Sequence, residues 1–399
     1  MKITSVHARL FVWPKHSPEF WMSLVPISHQ HLLTVNVETD EGLVGFGWTE
    51  QAPSAFTVDM SGEVRAANSS RIVRDAMDPL LTGEDLAAIE DLWEKMFMLT
   101  YHRGWTLQGW NRRQLMPVIA AVDMALWDLR AKAAGVPLFR LFGGAQTEVK
   151  CYLAGGYYRQ EKTVEELSEE CRAYANRGYK ALKIRVGGAS LAEDVERVAA
   201  AREAIGPDAK LMLDANEAYD SKTAIKAARA YEPYDIYWLE EPARWYEGEA
   251  ASLRVAREIS IPLASGEQAD TRWDAQQLIE RAGLKFMQFD AMRSAGPSEW
   301  MKVAAISSAN GIPMAPHHGP AMHAHLVSAA PNGLMVEVFA DPADYEGSEA
   351  LQWMRWDKQR EAFATYPVIR NGKMELSELP GWGVDLDEDA LADREVRLQ

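Results

Sequence analysis

From residue 148 onward the chain repeats one pattern. A short apolar run is followed by a longer stretch whose apolar residues recur at helical spacing. The apolar runs are 148–154, 181–186, 211–214, 236–240, 261–265, 285–289, 312–315 and 334–338. Helical stretches at 164–177, 191–205, 221–231, 250–259, 271–282 and 297–310 separate them. Eight strand-then-helix units over roughly two hundred residues predict a (β/α)8-type barrel of the α/β class, not an open sheet. No Gly-x-Gly-x-x-Gly follows a strand, so a dinucleotide-binding fold has no support.

The first 147 residues read differently. Stretches 6–13 and 31–38 alternate, the acidic turn Thr39-Asp40-Glu41-Gly42 follows, and 43–49 completes a hairpin. Residues 14–30, rich in aromatic, Pro and His residues, read as a loop, and 62–133 as mostly helix. The clearest helix is 116–134, which Gly135-Val136-Pro137 stops. The expected organisation is therefore an α+β unit at 1–147, the barrel at 148–350, and a mixed segment at 351–399 packing elsewhere.

Composition narrows the partners. The chain carries 42 Lys and Arg against 58 Asp and Glu, a net charge of −16, which argues against nucleic acid and anionic membranes. Cys151 and Cys171 are too few for a disulfide framework. No stretch has the length of a signal h-region or a membrane span, so a soluble cytoplasmic protein is expected.

A barrel places its active site at the C-terminal ends of the strands. Those ends are ionisable almost throughout. Strand two ends in Lys183 and Arg185, on one face, and strand three in Asp214 and Asn216. Strand four ends in Glu240-Glu241-Pro242, strand five in Gly266-Glu267-Gln268 and strand six in Asp290. Strand seven ends in His317-His318, and strand eight carries Glu337. Singly, each has a bland explanation: a helix cap, an ion-pair partner, a structural histidine. Jointly they do not. Asp214, Glu240 and Glu267 lie 26 and 27 positions apart, one β/α unit each. Three convergent carboxylates make an oxygen-rich site for a hard divalent cation, best Mg2+.

Several motifs in order resemble the enolase superfamily, in its mandelate racemase-like branch with its many acid-sugar dehydratases. Residues 120–128 (AAVDMALWD) with Leu141-Phe142-Gly143-Gly144 are similar to the branch's signature between cap and barrel. Leu213-Asp214-Ala215-Asn216, Leu239-Glu240-Glu241-Pro242 and Ser265-Gly266-Glu267 are similar to its three metal-ligand motifs. Residues 289–293 (FDAMR) and Met314-Ala315-Pro316-His317 resemble its Asp/His dyad, and 380–385 (PGWGVD) its tail. The resemblance implies a capping domain built from the N-terminal part and the C-terminal tail over the barrel. It implies Mg2+ held by Asp214, Glu240 and Glu267, with His317 as base oriented by Asp290. It implies a small acid-sugar substrate and a homo-oligomer. Glu337 aligns with a carboxyl that, in some members, donates a hydrogen bond to the substrate carboxylate, which requires a raised pKa. His318 should face away from His317 if the segment is extended.

One departure is informative. Racemases of the branch carry Lys-x-Lys on strand two; here the second position is Arg185, whose guanidinium is a poor proton acceptor. One base, His317, fits β-elimination better than racemisation. The expected reaction is dehydration of a sugar acid to a 2-keto-3-deoxy acid. Lys183, Arg185 and Asn216 would face the substrate, and His317 would return its proton to the leaving hydroxyl. A racemase or epimerase on the same scaffold, and a non-catalytic metal-binding relative, are the alternatives. Substrate selection would fall to cap loops near 14–30 and 50–60, with Trp21, His29 and His31 as possible contacts.

Overall fold

The computed structural model describes residues 1–13, 20–26, 30–50, 55–58, 64–67, 69–104, 110–340 and 358–396. In the N-terminal part, strands Ile3–Trp13, Gln30–Thr39 and Val44–Thr49 form one antiparallel sheet. Its inner face buries Val6, Leu10, Leu33, Val35 and Val37 against helices Ile89–Met98 and Arg112–Ala134. The long helix starts at a capping box between Asn111 and Gln114 and ends at Gly135, φ 68°. It lies almost on the sheet backbone: a Cβ on Gly47 would stand 2.0 Å from the Ala121 carbonyl oxygen. Only glycine fits there.

Two local readings change. Val64–Ala67 is a strand paired with Ala55–Val58, not helix, because antiparallel pairing outweighs the helix propensity of its alanines. Within 14–30, Phe20–Met22 is a strand that pairs with both Val25–Pro26 and Tyr158–Arg159, so this cap segment adds to a small sheet at the barrel mouth. Trp21 stacks on Tyr158 at 6.1 Å, a packing role. His29, and 51–54 and 59–60 of the second expected loop, lie outside the described residues.

The barrel strands are Glu148–Gly155, Ala181–Arg185, Lys210–Asp214, Ile236–Glu240, Leu263–Ser265, Phe286–Met287 and, closing on the first, Val336–Val338. The seventh position, expected as a strand, makes only single bridges, Met287 to Met314 and Met314 to Gly333. Pro313 and Pro316 flank it and contribute no N–H to a ladder. A helix follows each of the first seven positions, including Pro320–Ala329, which the pattern had not shown.

One side chain from each of the eight positions fills the barrel floor: Tyr152, Ala181, Met212, Trp238, Ala264, Phe286, Ala315 and Met335. Large and small residues interdigitate around the ring. Side chains alternate along a strand, so the residue two further on faces inward again, one layer higher. Those residues include Lys183, Asp214, Glu240, Gln288, His317 and Glu337.

Buried carboxylates join the parts. Asp123 accepts from the Ser298 amide (2.8 Å) and hydroxyl (2.7 Å), tying the long helix to the barrel helix Pro297–Ala309. Asp128 accepts from the amides of Phe46 (2.9 Å) and Trp382 (3.0 Å), and Lys132 stands 2.6 Å away. Trp382 also donates its indole N–H to the Met124 carbonyl. The last segment thus touches the N-terminal unit, while Lys373–Glu375 pairs with the first barrel strand. Among the described residues no helix is long and apolar enough to cross a membrane.

Candidate active site

The layer above the floor is dense with charge. Lys183 Nζ, with no solvent exposure, stands 2.7 Å from Glu240 Oε1, 2.8 Å from Glu337 Oε1 and 3.3 Å from Asp214 Oδ2. Arg185 pairs with Asp214 through Nη1 and donates from Nη2 to the Tyr157 hydroxyl (3.0 Å). Burial works against the charge on Lys183, but Glu240 and Glu337 outweigh it and hold its pKa above the ordinary value. Arg185 is also raised: burial opposes its charge, and Tyr157, Glu337 and Glu240 more than compensate. In both cases the surrounding acids favour the charged form.

Across the mouth, His317 Nδ1 lies 3.0 Å from Asp290 Oδ2, and its Nε2 lies 3.4 Å from Glu267 Oε2. Burial lowers the His317 pKa, but Glu267, the Asp290 hydrogen bond and Glu337 carry it up to about 9. Burial likewise opposes ionisation of Asp290, while its hydrogen bond to His317 holds it below the ordinary carboxylate value. The other Asp290 oxygen accepts from the Met292 amide at 2.8 Å, which fixes the carboxylate.

Two expectations need correction. The surroundings of Glu337 work against the raised pKa expected of it. Burial pushes its pKa up, but the Lys183 ammonium and then His317 overcome that and lower it. The carboxylate is an acceptor, taking the His318 amide at 2.9 Å. Nor does His318 face away. Its φ is 52°, in the left-handed region, so the segment is not extended, and its ring lies 4.3 Å from that of His317. Asn216 sits beside Asp214, but not through strand alternation. The strand ends at Asp214, and φ 40° at Asn216 folds its amide back onto Asp214 (2.9 Å from the backbone N). Asn216 Oδ1 accepts from Arg185 (3.3 Å) and from Ser23 of the N-terminal part (3.3 Å).

The three expected metal ligands are placed as follows. Asp214 and Glu240 are direct partners across neighbouring strands. Glu267 follows strand five and faces His317. Among the described residues no three His, Cys, Asp or Glu side chains stand close enough together to hold a metal ion. Each carboxylate is turned to a neighbouring cation instead: Asp214 to Arg185, Glu240 to Lys183, Glu267 to His317. The donor chemistry nevertheless fits a hard divalent cation. All three offer oxygen, all are buried, and two of them already converge on one positive centre, Lys183 Nζ.

Residues missed in the sequence complete the layer. Gln288 donates to Glu240 Oε2 at 2.6 Å, and Trp238 of the floor donates to the same oxygen at 3.2 Å. Gln288 occupies the inward position two past Phe286, so alternation could have found it. Glu50, from the end of a cap strand, reaches His318 Nδ1 at 3.5 Å. Nothing in local sequence announces that contact, because 268 residues separate the pair.

The N-terminal domain family of mandelate racemase and muconate lactonizing enzyme matches residues 4–143, and the enolase C-terminal domain-like family matches 166–390. An arabinonate dehydratase of Saccharolobus solfataricus is 31% identical over 356 residues, covering 88% of this chain and 87% of that protein. A 3,6-anhydro-α-L-galactonate cycloisomerase of Streptomyces coelicolor is 33% identical over 360 residues, covering 90% of each. The crystal structure of L-talarate/galactarate dehydratase from Salmonella typhimurium LT2, liganded with Mg and L-lyxarohydroxamate, superposes with a TM-score of 0.81 at 26% identity. That match covers 99% of this chain and 93% of that one.

Proposed function

The chain belongs to the enolase superfamily, in its mandelate racemase-like branch, and from that premise we propose that it is a Mg2+-dependent dehydratase converting a sugar acid to a 2-keto-3-deoxy acid. It is a lyase of the hydro-lyase type, as its dehydratase relatives are. The single observation that carries the elimination reading is the asymmetry of the mouth. One imidazole at the end of strand seven, His317, is held by Asp290, while strand two presents Lys183 and Arg185, paired to buried acids, and a guanidinium is a poor proton acceptor.

The proton α to a carboxylate is very weakly acidic, and its loss leaves two negative charges on the substrate's oxygens. Asp214, Glu240 and Glu267 are the residues that would hold Mg2+, which when bound supplies positive charge opposite the acid sugar's carboxylate. His317 takes the α-proton, and Asp290 fixes its ring and favours the imidazolium that forms. Lys183 and Arg185 supply preorganised positive charge in a site shielded from water. The carbon–oxygen bond to the β-hydroxyl then breaks with its electron pair on oxygen, His317 returns the proton that makes it water, and the enol becomes the keto acid.

The test is a semicarbazide screen for keto acid with Mg2+ across mono- and di-acid sugars, including arabinonate, galactonate, mannonate, galactarate and talarate. Turnover of at least one is expected. No keto acid from any of them, with deuterium entering the α-carbon in D2O, would point to an epimerase instead.

A further inference from the structure

Strand one brings a phenol into the charged layer. The strand ends at Gly155, and Gly156, at φ 63°, turns the chain across strand two. A Cβ on Gly156 would stand 2.6 Å from Ile184 Cβ, so only glycine allows so close a crossing. The next residue, Tyr157, is 1% exposed, and its hydroxyl accepts from Arg185 Nη2 at 3.0 Å. The guanidinium carbon lies 4.9 Å from the centroid of the same ring. Tyr157 is itself clamped. Lys162 Nζ donates to its carbonyl at 3.0 Å, and Lys162 pairs with Glu170 in a fully enclosed ion pair. Glu170 also accepts from the Gly156 amide at 2.8 Å. Desolvation opposes such a pair, so it is weak evidence for stability. What it does here is fix the loop that carries the phenol. From the cap side, Phe20 meets the Tyr157 ring edge-on at 5.5 Å.

Arg185 is the position that departs from Lys-x-Lys, and its donors are divided. Nη1 goes to Asp214 and Asn216, Nη2 goes to Tyr157, and Nε–H is buried without an acceptor. The guanidinium is planar, so fixing both Nη atoms fixes the direction of Nε–H. A buried donor without a partner calls for one, and the oxygens of an acid sugar are the acceptors that the proposed reaction brings. A second carboxylate in place of the phenol would cancel the charge of the guanidinium; a hydroxyl orients it without doing so. Burial raises the Tyr157 pKa even against the pull of Arg185, which favours the neutral hydroxyl. We infer that Tyr157 is a positioning residue for the reaction: its hydroxyl sets the orientation in which Arg185 presents positive charge to the substrate's oxygens as the α-proton leaves.

The inference rests on the dehydratase reading, and the experiment separates the two. Wild type, Tyr157→Phe, Arg185→Met and the double variant are incubated in D2O with Mg2+ and the five acid sugars named above. Keto acid and α-deuterium are followed by NMR. Phe keeps the ring and removes only the hydroxyl. Y157F should slow the reaction about tenfold in the native background but less than about twofold beside R185M, because a residue that acts through another loses its effect when that other is gone. A second readout needs no turnover. In protein carrying isotope-labelled arginine, the Nη2 resonance of Arg185, assigned by its loss in R185M, should shift in Y157F and its protons should exchange faster. Full activity in Y157F, an equal loss in both backgrounds, or an unchanged Nη2 resonance would overturn the assignment while leaving the dehydratase intact. Wild type that exchanges the α-hydrogen without forming keto acid from any substrate would sink the dehydratase reading. The same four proteins compared by their exchange rates would then still decide the role of Tyr157.

Discussion

Two sets of buried carboxylates organise this molecule, and their surroundings differ in kind. Asp123 and Asp128, on the long helix, meet backbone amides and a serine hydroxyl, with a partly exposed lysine, Lys132, beside Asp128. Asp214, Glu240 and Glu267, at the barrel mouth, meet charged side chains and one another's fields. An acid held by fixed N–H donors has its hydrogen-bonding needs met and nothing left to trade. Acids held by a lysine, an arginine and a histidine can exchange those partners for a ligand. Equal burial thus accompanies opposite roles: Asp123 is met by Ser298 alone, whereas each mouth carboxylate faces a charged side chain.

The sharpest way to break this distinction is at the mouth. Replacing His317 with Asn should reduce keto-acid formation by about 10³-fold with little change in melting temperature. If the protein unfolds instead, the mouth is structural after all. Chelation by EDTA should cost about 100-fold or more in turnover, restored by added Mg2+. Next comes Asp290→Asn. Asp290 raises the His317 pKa, so removing its charge should move the acid limb of kcat/KM down by about one to three pH units.

The helix set should respond in stability alone. Asp123→Ala strands the Ser298 donors and should lose about 1–3 kcal/mol in urea unfolding, with kcat/KM unchanged. Burial pushes Asp123 up to about 7, even though Ser298 pulls the other way. A raised carboxyl stabilises the fold fully below its unfolded value, and that contribution is lost as pH rises through about 7. The stability of wild type relative to Asp123→Asn should therefore decline between pH 4 and 8. The smallest effect belongs to Lys132→Met, about 0–1 kcal/mol, because Lys132 is one-third exposed and amides already serve Asp128.

Much of this could be read without coordinates. The period of the strand–helix units and the polar residue closing each one located the barrel and most of the mouth. What escaped did so for physical reasons. Helix Pro320–Ala329 is buried on nearly every side, so it shows no amphipathic stripe. The seventh strand read as β because its apolar residues qualify; Met314 does bridge both neighbours, but between Pro313 and Pro316 the pairing stops at single bridges. His318 was misdirected because alternation assumes extended backbone, and a left-handed residue reverses it. Glu337 was expected to be protonated from the resemblance alone, which says nothing of the ammonium 2.8 Å away. The roles of Asp123 and Asp128 were invisible within their motif, since their partners come from distant parts of the chain.

The floor of eight interdigitated side chains plugs one end of the barrel. Substrate and product must then use the same end, a shared doorway. Ser23 and Glu50 of the N-terminal part stand at that doorway. Segments that admit substrate are therefore also the ones that must give way for product to leave, so a tighter grip on the substrate carries a slower exit with it.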